Sequence, residues 1–100
     1  NKEILKKAEE ILKKAIEISP KNQQAYVLLG QNYFLEGKKE DAIFFFQKAL
    51  DLDKYQKVYH LYLINLLEAL GEKELTKQKI EEALKINPEW EKDFKKFFEK

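Results

Sequence analysis

The stretch YVLLGQNYFLEGKKEDAIFFFQKA, residues 26–49, decides how the chain folds. Gly37 divides it, and on both sides the apolar residues recur at helical rather than alternating spacing. The spacing predicts helices over 23–36 and 39–52, joined by a turn short enough to make them antiparallel neighbours. Small Gly30, Ala42 and Ala49 let the two axes approach, while large Tyr26, Leu29, Tyr33 and Phe46 fill the space between. Three adjacent Phe test the pairing, because successive helical residues point about 100° apart. With Ala42 at zero, Phe46 falls near about 40° and Ala49 near about −20°, which defines the buried face. Phe45, near about 300°, is expected to be half-buried, and Phe44, near about 200°, to point outward.

Working outward, breakers recur at Ser19-Pro20, Gly37, Asp53-Lys54, Gly71 and Asn87-Pro88. They bound further helices near 3–18, 57–70, 73–86 and 89–99, with Asn22 and Asn87 as N-caps and Pro88 in a first helical turn. The intervals share one period. Gly37 to Gly71 is 34 residues, and Pro20 to Pro88 is twice that. Ala15, Ala49 and Ala83 fall 34 apart, as do Leu12, Phe46 and Ile80, and Ile18, Leu52 and Ile86. Such a period indicates stacked helical hairpins, each too small to bury its apolar face alone.

In these residues the chain resembles the tetratricopeptide repeat family. The family's aromatic, Leu-Gly and Tyr on a first helix, then Ala, aromatic and Ala on a second, are matched by Tyr26, Leu29-Gly30, Tyr33, Ala42, Phe46 and Ala49. Residues 57–90 match through His60, Leu63, Leu67, Ile80, Ala83 and Pro88, and depart at Ile64 and Thr76, where small residues are usual. The resemblance implies an all-α fold, an α-solenoid of antiparallel helical hairpins. It would form one domain over 1–100: a second helix of a partial repeat at 1–22, full repeats at 23–56 and 57–90, and the start of a further repeat or capping helix at 91–100.

The family holds peptide ligands along one side of its first helices. By helical angle that side here carries Gln24, Val27, Gln31 and Phe34, then Val58, Leu61, Asn65 and Glu68, bordered by Tyr62. Lys92, Lys95 and Lys96 extend it with positive charge. The resemblance thus implies a concave groove with an apolar floor, amides and a basic end, suited to a protein or peptide segment. The chaperone-tail clamp of one subfamily is not expected, because Val27, Gln31 and Tyr62 stand where that clamp needs Lys or Asn. Phe44 is the candidate for a contact on the convex side.

Other functions find little support. Lys+Arg is 19 against Asp+Glu 18, every basic residue is Lys, and the candidate face is apolar, so nucleic-acid binding is not expected. No apolar run is long enough for direct membrane insertion. Cys is absent and His60, at a packing position, is the only His, so no metal ligands, cofactor site or catalytic residues are expected. Ser19 beside Pro20 reads as a turn residue, and no Gly-rich phosphate loop exists. The chain opens at Asn1 directly in a helical pattern, and the expectation is an excerpt of a larger protein. Two alternatives to a peptide-binding module follow: a spacer that self-associates through Phe44 and its exposed ends, and a regulatory appendage of an enzyme outside the excerpt. The first is encouraged by Ile4, Leu5, Ile11 and Leu12, which have no preceding helix to cover them.

Overall fold

A computed structural model of the chain describes residues 1–98, which are helical apart from short connections. The helices are α1 (Lys2–Ile18), α2 (Gln23–Leu35), α3 (Lys39–Leu52), α4 (Lys57–Ala69), α5 (Lys73–Ile86) and α6 (Glu91–Phe98). These residues form two compact units, one from Asn1 to Asp53 and one from Lys54 onward.

In the first unit, α2 packs against both α1 and α3. Asn22 caps α2 as expected, its side chain accepting from the Ala25 amide. The helix ends where Gly37 takes φ 78, a left-handed conformation that a Cβ would strain. That turn lets the Lys38 amide donate back to the Tyr33 carbonyl (2.9 Å) and the Gly37 amide to that of Phe34 (3.0 Å). The chain then reverses into α3. Leu29, Tyr33, Ala42, Phe46 and Ala49 are buried at the α2–α3 contact, so the face deduced from helical angles is the face the structure buries. Phe45 is half-buried, stacked on the rings of Tyr26 and Tyr33 with centroids 6.4 and 5.5 Å away. Phe44 is 59% exposed and meets Phe45 edge-on.

The second unit repeats the device. Gly71 (φ 74) ends α4 and turns the chain into α5 through Glu72 amide to Leu67 carbonyl and Gly71 amide to Glu68 carbonyl bonds. Ile64, Ile80, Ala83 and Phe94 form its core, with Leu61, Leu84, Trp90 and Phe97 packed around them. The helix expected over 89–99 begins differently: Pro88–Trp90 is a 3₁₀ turn capped by the Asn87 side chain, and α6 follows. Tight turns of this kind are common where a helix starts. The expected end of that helix, Glu99, lies with Lys100 outside the described residues.

Each hairpin, α2–α3 and α4–α5, ties its first helix to the preceding turn in the same way. The Tyr26 hydroxyl donates to the Pro20 carbonyl (2.8 Å), and 34 residues on, His60 Nε2 bonds the Lys54 carbonyl (2.7 Å). A carbonyl only accepts, so the neutral ring carries its proton on Nε2.

Candidate functional site

In the first unit the candidate side of α2 is built on a helix without a charged residue from Gln23 to Leu35. Gln24, Gln31 and Phe34 are exposed on it, Phe34 to 40%. Val27 corrects the sequence reading: it is 1% exposed and cannot touch a ligand in this fold. Helical angle sets the direction of a side chain but not what packs over it, and a short Val reaches less far than Phe34. Leu28 and Leu35, which the angular argument passed over, are exposed instead. With Ala8, Ile11, Leu12, Gln31 and Asn32 they line an open depression of about 410 Å³ between α1 and α2. Their seven-residue spacing was the available signal. The repeat's helix-pairing columns do not include these two positions.

The two walls of that depression are pinned together. The buried Asn32 amide donates to the Leu5 carbonyl of α1 and to the Glu36 carboxylate, both at 2.9 Å. On α1, Lys13 donates to Glu9 at 2.8 Å, which holds the Glu9 carboxyl below the usual carboxylate range and raises the Lys13 ammonium.

In the second unit Val58 and Asn65 are exposed on α4, while Leu61, Tyr62 and Glu68 are half-buried. Leu61 packs on the core and Tyr62 meets Tyr59 edge-to-face at 5.8 Å, so both serve packing as well as any surface. Glu68 lines a separate depression with Lys73, Lys77, Ile80 and Phe97. Lys92, Lys95 and Lys96 are exposed on α6, with the Lys96 ammonium 5.1 Å from the Phe97 ring centroid. Lys57 pairs with Asp93 at 3.2 Å, which partly neutralises the surface near Lys92. His60 is buried against Trp90 (5.3 Å between centroids), and burial lowers its pKa despite the carbonyl bond.

Among the described residues no group of three His, Asp or Glu side chains could hold a metal ion, and no helix is long and apolar enough to cross a membrane. What remains is a pair of helical hairpins with exposed apolar rows, and a family model for the tetratricopeptide repeat matches residues 5–60. The chain belongs to the tetratricopeptide repeat family. Repeats of this family generally mediate protein–protein interaction and are typically non-catalytic. No curated protein matches this tetratricopeptide repeat chain.

Proposed function

We propose that the chain is a protein-interaction module with two full repeats, residues 23–56 and 57–90, that binds a peptide or protein segment along the outward side of its first helices. The observation that carries the reading is Phe34, a large aromatic held 40% exposed at the end of α2, beside the exposed amide of Gln31, with the exposed amide of Gln24 at the other end of the helix. Amides can fix an extended backbone while an apolar surface takes its side chains. In the second unit Val58 and Asn65 offer the same pairing of apolar and amide groups. Lys92, Lys95 and Lys96 would favour an acidic stretch of the ligand.

The test is capture from source-cell lysate on the immobilised chain, read by mass spectrometry, with Phe34→Glu and Phe44→Glu beside the parent. A partner lost with Phe34→Glu and kept with Phe44→Glu is the expected result. The reverse pattern would transfer the function to the outward side of α3. That second reading rests on Phe44, which is more exposed than Phe34.

A further inference from the structure

We draw no further inference here: the strongest candidate, the outward aromatic patch that Phe44 and Phe45 make on α3, is an unpartnered apolar face flanked by charges of both signs at Glu40, Asp41 and Lys48, and nothing in the structure shows what covers it.

Discussion

The two hairpins, α2–α3 and α4–α5, pack equivalent positions with opposite volumes. In the first, Gly30 sits so close to α3 that a Cβ there would stand 3.2 Å from the Ala42 carbonyl oxygen and 3.4 Å from the Phe46 ring. The bulk comes from Phe46. In the second, the first helix supplies Ile64, fully buried, and the second helix supplies the smaller Ile80. Ala42 is matched by Thr76, whose hydroxyl would be costly in a core but donates to the Glu72 carbonyl at 2.7 Å. The departures from the repeat pattern at Ile64 and Thr76 are therefore absorbed by a trade of volume and one local hydrogen bond. A repeat specifies the total filling of the space between its helices, and either helix can provide it.

The most severe way to break this comparison is to exchange the two residues. Ile64→Gly removes a fully buried side chain and adds helix entropy, and should cost roughly 3–5 kcal/mol in urea unfolding followed by circular dichroism. Gly30→Ile forces branched carbon into the Ala42 backbone and should cost about 3 kcal/mol. Adding Phe46→Ile to Gly30→Ile, which copies the second hairpin, should recover part of that loss. If the double variant is no better than the sum of its parts, the volume trade is not the explanation.

A smaller effect should be equal in both units. Gly37→Ala and Gly71→Ala each place a Cβ at a φ above 70° in otherwise open space, so each should cost about 1 kcal/mol. A cost well below that at one site would mean its turn can relax.

The smallest effect separates the units by pH. His60 occupies the place that Tyr26 holds in the first hairpin. Burial lowers its folded pKa below the usual value near 6.5, so under acid the unfolded chain takes up the proton first. The second unit should thus keep full stability above about pH 6.5 and lose it progressively as pH falls through the folded value. Glu82 facing the ring favours the proton, while Lys79 and Lys54 oppose it. His60→Tyr, which can still donate to the Lys54 carbonyl, should flatten the profile below about pH 6.5. Persistence of the slope in that variant would place the titration elsewhere.

The sequence carried these comparisons a long way. Helix boundaries, the antiparallel pairing and the separate fates of Phe44, Phe45 and Phe46 followed from helical angle and from glycines at a fixed interval. These are local properties, and a chain of this periodicity has few ways to satisfy them. The carbonyl tether shared by Tyr26 and His60 is implicit in the 34-residue register but not legible in the sequence, because it joins a side chain to a backbone atom in a turn.

Less of the candidate surface was legible. Val27 points toward the candidate side yet is buried, and Leu28 and Leu35 are exposed although they are the most apolar residues of their helix face. Direction is a property of one helix, and the sequence determines it. Exposure depends on which neighbours cover that direction, and only tertiary packing decides it. Asn32 shows the same division: its polarity suggests a surface residue, but the structure buries it and uses its amide to hold α1 against α2. By itself the sequence determined the repeat, its helices and their buried faces, through spacing alone. The tertiary structure decided which apolar rows stay open, because burial is the sum of contacts between segments distant in the chain.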